Sequence, residues 1–77
     1  MDIKLVDVTV HIDETLSKEQ RQGMEDTLRA LDGVVSVAAK GEKPHLVVVE
    51  YNPDRISSGA ILSAVKNLGV HAELVGL

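Results

Sequence analysis

His11, His45 and His71 are the side chains of this protein best suited to hold a metal ion, and Asp13 and Glu14 follow the first of them closely. Neutral imidazole and carboxylate donors suit zinc, nickel or divalent copper. The chain has no cysteine, so disulfides and thiolate-held metals are excluded. Ser17 and Gln20 offer a different chemistry. Their Ser-x-x-Gln spacing is that of a capping box, in which the hydroxyl and the amide satisfy orphan N–H groups at a helix start. No serine has the neighbouring base and orienting group that a nucleophile requires. The chain is therefore expected to be no enzyme, with no small-molecule substrate and no cofactor other than a metal ion that is not thiolate-bound.

These residues need a frame to position them. Ile3 to Ile12 alternates, with Val6, Val8, Val10 and Ile12 on one face and Leu5, Asp7, Thr9 and His11 on the other. Period two with β-branched residues predicts a half-buried strand. After Asp13-Glu14-Thr15, Ser17 opens a helix with Glu19 near its positive end. Met24, Leu28 and Leu31 give that helix one apolar stripe, and Gly33 stops it. Val34 to Ala39 reads as a second strand, Lys40-Gly41-Glu42-Lys43-Pro44 as a turn, and Leu46 to Tyr51 as a third strand. Asn52-Pro53-Asp54 breaks the pattern. A second helix then begins near Ser57, carries Ile61, Val65 and Leu68, and ends at Gly69. Val70 to Val75 is the last strand.

Two such units joined by a hairpin give β-α-β-β-α-β, the ferredoxin-like α+β pattern. Right-handed crossovers predict an antiparallel sheet of order 4-1-3-2 with both helices on one face. The first strand then ends at the pole where the third and fourth begin. His11, His45 and His71 all fall there, beside the loop that carries Ser17 and Gln20. Parity puts His11 and His71 on the helix-free face of neighbouring strands, where antiparallel pairing could set them opposite each other. They are the metal candidates, with Asp13 or Glu14 nearby.

One combination of residues carries a family likeness. Met24-Glu25-x-x-Leu28-x-x-Leu31-x-Gly33-Val34 is followed by Ser36-Val37, Tyr51-Asn52-Pro53, Ile56 and Leu68-Gly69-Val70. This frame resembles the heavy-metal-associated (HMA) domain of copper chaperones and metal-pumping ATPases, over about residues 5 to 75 of the chain. The resemblance implies a ferredoxin-like fold and a Cys-x-x-Cys pair at the start of the first helix. Counting back from Gly33 places that pair on Ser17 and Gln20, and Glu14-Thr15 stands where the family usually has Gly-Met. Monovalent copper needs soft thiolate or thioether donors, which a hydroxyl and an amide do not supply. The chain is thus read as a cysteine-less HMA-like domain whose metal-loop positions are vacated. The capping box accounts for Ser17 and Gln20 without any ligand, and three exposed histidines near strand ends are commonplace.

Composition narrows the partners. The 77 residues make one domain, 1–77, with 44% apolar residues and a formal charge of −4. Tyr51 is the sole aromatic, so no surface can stack bases in the usual way, and the negative charge disfavours nucleic acid. No 18-residue apolar run suggests a membrane span, and the N-terminus lacks a basic-then-apolar start; a cytoplasmic protein is expected. The helix-free face should carry Leu5, Val35, Leu46, Val48 and Val75 among Asp7, Thr9, Glu50 and Glu73. Five apolar residues on an open sheet would suit a protein partner or a homodimer. The functional expectation is an interaction or accessory module of a metal-handling or stress system. The alternatives are a carrier of zinc, nickel or divalent copper on His and carboxylate donors, and a homo-oligomer formed through the open sheet.

Overall fold

A computed structural model describes residues 4–39 and 45–75. Six elements follow in the expected order: β1 (Val6–Ile12), α1 (Lys18–Arg29), β2 (Val34–Ala39), β3 (Leu46–Tyr51), α2 (Ser58–Lys66) and β4 (Ala72–Val75). The strands form one sheet of order β2-β3-β1-β4, and each neighbouring pair is antiparallel. This is the expected 4-1-3-2 arrangement read from the other edge. The turn assigned to Lys40 through Pro44 lies outside the described residues, as does Ile3.

One face of the sheet and one stripe of each helix make the core. Val8, Val10 and Ile12 of β1, Val47, Val49 and Tyr51 of β3, and Val37 of β2 point inward. Met24 and Leu28 of α1 meet them, with Ile61 and Val65 of α2, and all eleven of these side chains are buried. Each large aliphatic side chain sealed in this way contributes about 1.5–3 kcal/mol. No charged side chain is buried among the described residues, so the core pays nothing for desolvating a charge.

The boundaries differ from the sequence expectation where a partner runs out. Val6 pairs with Tyr51, the last residue of β3; Lys4 and Leu5 therefore have no strand opposite and precede β1. β4 begins at Ala72, which pairs with Ile12, the end of β1. Helix α2 stops at Lys66 with Asn67 as its C-cap. Leu68, expected on its apolar stripe, lies in the following turn and is 46% exposed. Helix α1 likewise closes at Ala30, and Leu31 packs on the core from the turn.

Gly33 and Gly69 take positive φ, 99° and 90°, which L side chains rarely adopt. Gly33 turns the chain from α1 into β2 against the α2 approach. An added Cβ there would sit 2.8 Å from Ile56 Cγ2 and 3.0 Å from Arg55 Cβ. Two ties hold the end of α1 to the sheet and to this turn. Arg29 donates to the Val37 carbonyl at 3.1 Å, and Arg55 lies 3.4 Å from Asp32.

Candidate functional site: the histidine pole and the open sheet

Helix α1 opens on the capping box that its sequence spacing predicts. Ser17 Oγ accepts the Gln20 N–H at 3.1 Å, and Gln20 Oε1 accepts the Ser17 N–H at 2.9 Å. Both side-chain oxygens are thus committed to backbone donors at the helix's positive end. A soft monovalent metal finds no suitable donor at these two positions, because hard neutral oxygens already in hydrogen bonds do not compete for it. Beside the box lies a groove of about 290 Å³ between α1 and the α2–β4 turn. Leu16, Met24, Leu68 and Val70 give it an apolar lining, and Gly23 leaves it open.

The three histidines gather at the same pole, each in a different setting. His71 and Glu14 form one pair. The Glu14 carboxylate accepts the His71 backbone N–H at 2.8 and 3.0 Å and meets ring Nδ1 at 2.8 Å. A carboxylate only accepts, so that Nδ1 carries the proton. The backbone N–H of His71, then its ring, holds the Glu14 carboxyl below its ordinary value of 4.5. His45 turns its Nδ1 to the Ile12 carbonyl at 2.8 Å, again as donor, while its own carbonyl accepts the Ile12 N–H.

His11 is the third. The register pairs it with Leu46 on β3 and with Glu73 on β4. It does not face His71; the residue whose N–H reaches the His71 carbonyl is Asp13, at 2.9 Å. The expected His11–His71 juxtaposition is therefore offset by two residues, since β1 and β4 pair Ile12 with Ala72. In its place His11 Nδ1 faces Asp13 Oδ1 at 3.2 Å and Glu73 Oε1 at 3.7 Å. Its ring stacks on that of His45 with centroids 5.9 Å apart. The sequence reading missed Glu73 as a donor, although its alternation with His71 along the last strand was visible.

The helix-free face is organised in rows across the strands. Ala38, Val48, Thr9 and Val75 stand side by side, one from each strand. The next row toward the start of β1 is Ser36, Glu50 and Asp7, and the row on the other side is Leu46, His11 and Glu73. Val48 and Val75 thus flank Thr9 from either side, and Leu46 follows on β3 in the next row. Leu5 lies beyond the acidic row, before β1. Val35 is the extra residue of a bulge that lets both Val34 and Val37 pack inward, and it is 55% exposed. The five expected apolar residues therefore do not make one unbroken patch, because Asp7 and Glu50 cut across them.

No family model matches the chain, and no curated protein matches it. Solved structures do. The N-terminal domain of a potential copper-translocating P-type ATPase from Bacillus subtilis, in its Cu(I)-loaded state, superposes with a TM-score of 0.82. That match has 24% identity and covers 92% of this chain and 88% of the other. The yeast copper transporter domain, determined in apo and Cu(I)-loaded states, gives 0.80 at 17% identity over 91% and 94%. The apo HMA domain of the copper chaperone for superoxide dismutase gives 0.76 at 18% identity over 95% and 69%. Likeness at these identities establishes architecture: this cysteine-free chain has the ferredoxin-like fold of heavy-metal-associated domains.

Proposed function

We propose that the protein is a cysteine-less HMA-like accessory module that works by docking on a protein partner in a metal-handling system. The observation that carries this reading is the row Ala38–Val48–Thr9–Val75, apolar except for Thr9, which crosses all four strands of the helix-free face with no layer over it among the described residues. An open antiparallel face normally alternates to polar residues. Here Val48 at the centre and Val75 at the edge interrupt that pattern, flanked by the acidic pair Asp7 and Glu50.

Asp7 and Glu50 are direct cross-strand partners, and like charges so placed destabilise a sheet. A partner with an apolar strip and a basic rim would relieve that repulsion on docking. Kinship of fold with copper-handling domains supports the choice of system, and the committed oxygens of Ser17 and Gln20 support docking over copper transfer.

A photo-crosslinking residue in place of Val48 tests the proposal in the source cell. The expected product is one defined adduct with a metal-transport or metal-regulating protein, absent when the same group replaces Gln22 on the helix side. Capture of a second copy only would favour the homo-oligomer, and equal labelling from both sides would overturn docking through this face.

A further inference from the structure

We propose that His11, Asp13 and Glu73 form a binding site for a divalent transition-metal ion, with zinc as its representative. The three donors reach one point for two separate reasons. Asp13 follows His11 by two residues and so shares its side of the sheet, and Glu73 is the cross-strand partner of His11 on β4. His11 Nδ1, one Asp13 oxygen and one Glu73 oxygen all lie within 4.8 Å of one another. The two distances from Nδ1 are 3.2 and 3.7 Å. Donors about 2.0–2.2 Å from a tetrahedral zinc ion stand roughly 3.4 Å apart, and the observed pair brackets that spacing.

The electrostatics point the same way. His11 Nδ1 is shut off from solvent and makes no well-angled hydrogen bond, although Asp13 Oδ1 is only 3.2 Å away. An unprotonated Nδ1 would aim its lone pair at two carboxylates, three acceptors converging with no donor between them. A proton on Nδ1, in the neutral tautomer or the imidazolium, relieves that arrangement, and so does a metal ion among the three. Borderline imidazole with two carboxylates selects zinc, nickel or divalent copper over magnesium, which prefers an octahedral shell of oxygens.

The surroundings hold the donors in place. The His45 ring lies against that of His11, and the Ile12 carbonyl fixes the His45 ring by accepting its Nδ1–H at 2.8 Å. The Asp13 backbone is tied to the His71 carbonyl at 2.9 Å. Such outer contacts orient metal ligands. Asp13 and Glu73 are well exposed, 61% and 70% at the side chain, so water completes the shell and the ion exchanges freely. His71 is outside the triad, with its Nδ1 engaged by Glu14.

Calorimetric titration of chelator-treated protein with zinc chloride, followed in parallel by amide NMR, tests the site. The expected result is one saturable equivalent, with shifts centred on residues 11–13 and 73. Magnesium chloride should give no saturation. His11→Ala, His11→Gln and Glu73→Gln should each weaken zinc binding about tenfold or more, because even outer-shell changes cost 10–100-fold. His71→Ala should bind as the parent does. Circular dichroism identifies any variant that has unfolded, and the second substitution at His11 then stands for the first. A flat zinc titration of the parent overturns the proposal, as does unchanged binding in folded His11 variants. Loss of binding in His71→Ala equal to that in His11→Ala overturns it as well, by moving the ion to the Glu14–His71 pair.

Discussion

Glu14, at the exit of β1, holds His71, at the entry to β4, through both the backbone N–H and the ring, across 57 residues of sequence. The clasp closes the loop that leads to α1 against the edge of the sheet. Because the His71 N–H lowers the Glu14 pKa, the interaction favours the charged carboxylate. Its stabilising contribution is complete above the ordinary value of 4.5 and is lost as pH falls through the lower folded value. Glu14→Gln should therefore melt below the parent at neutral pH, with the gap narrowing in acid. Thermal melts across that range measure it, and a gap that does not change with pH would assign the effect to packing.

Ser17→Ala should cost about 1 kcal/mol by leaving the Gln20 N–H without its acceptor. Urea unfolding reads the loss as a lower midpoint at constant slope. Ser17→Asp should restore most of it, since aspartate caps as well as serine and adds charge at the positive helix end. Failure of that rescue would mean that Ser17 has a role other than capping.

Gly33→Ala combines a forced positive φ with a contact of 2.8 Å to Ile56. A loss of about 1–3 kcal/mol is expected from the backbone alone, and more once Ile56 must move. Gly69→Ala shares the strain but meets nothing within 4 Å, so it should lose less. Denaturant midpoints of the two variants compare them directly, and equal losses would remove the Ile56 contact as a cause.

Val48→Glu should abolish docking through the open face while leaving the fold intact, because the side chain points away from the core. The new charge joins Glu50 and Asp7 in the neighbouring row and would be desolvated in any apolar contact. Sedimentation of the isolated protein at micromolar concentration separates the two occupants. A parent dimer that Val48→Glu dissolves would make the partner a second copy, and a monomer in both would leave a different protein as the partner.

Restoring a thiol pair with Ser17→Cys and Gln20→Cys should create tight binding of monovalent copper, since the helix start lowers thiol pKa values. Competition against a chromophoric copper chelator measures it. Binding no better than that of a free dithiol would show that the count back from Gly33 misplaces the vacated positions.

The order of elements, the inward valines of β1 and β3, and the capping box were all legible in the chain. Each rests on local physics: period-two or helical spacing, a cap whose two members are three residues apart, and a glycine where φ turns positive. Met24, Leu28, Ile61 and Val65 are buried as their spacing requires, and the order of the strands followed from the handedness of two crossovers. What faces what across the sheet was not legible. Whether His11 meets His71 or Glu73 depends on where β1 and β4 begin to pair, and a slip of two residues preserves every inward and outward side. Likewise the bulge at Val35 leaves no mark in the alternation of a valine-rich strand, yet it decides which valines are covered. The acidic break at Asp7 and Glu50, the row through Val48 and the donor triad at His11 all depend on that register. Cross-strand pairing couples residues far apart in sequence, so these relationships were settled only when the strands came together.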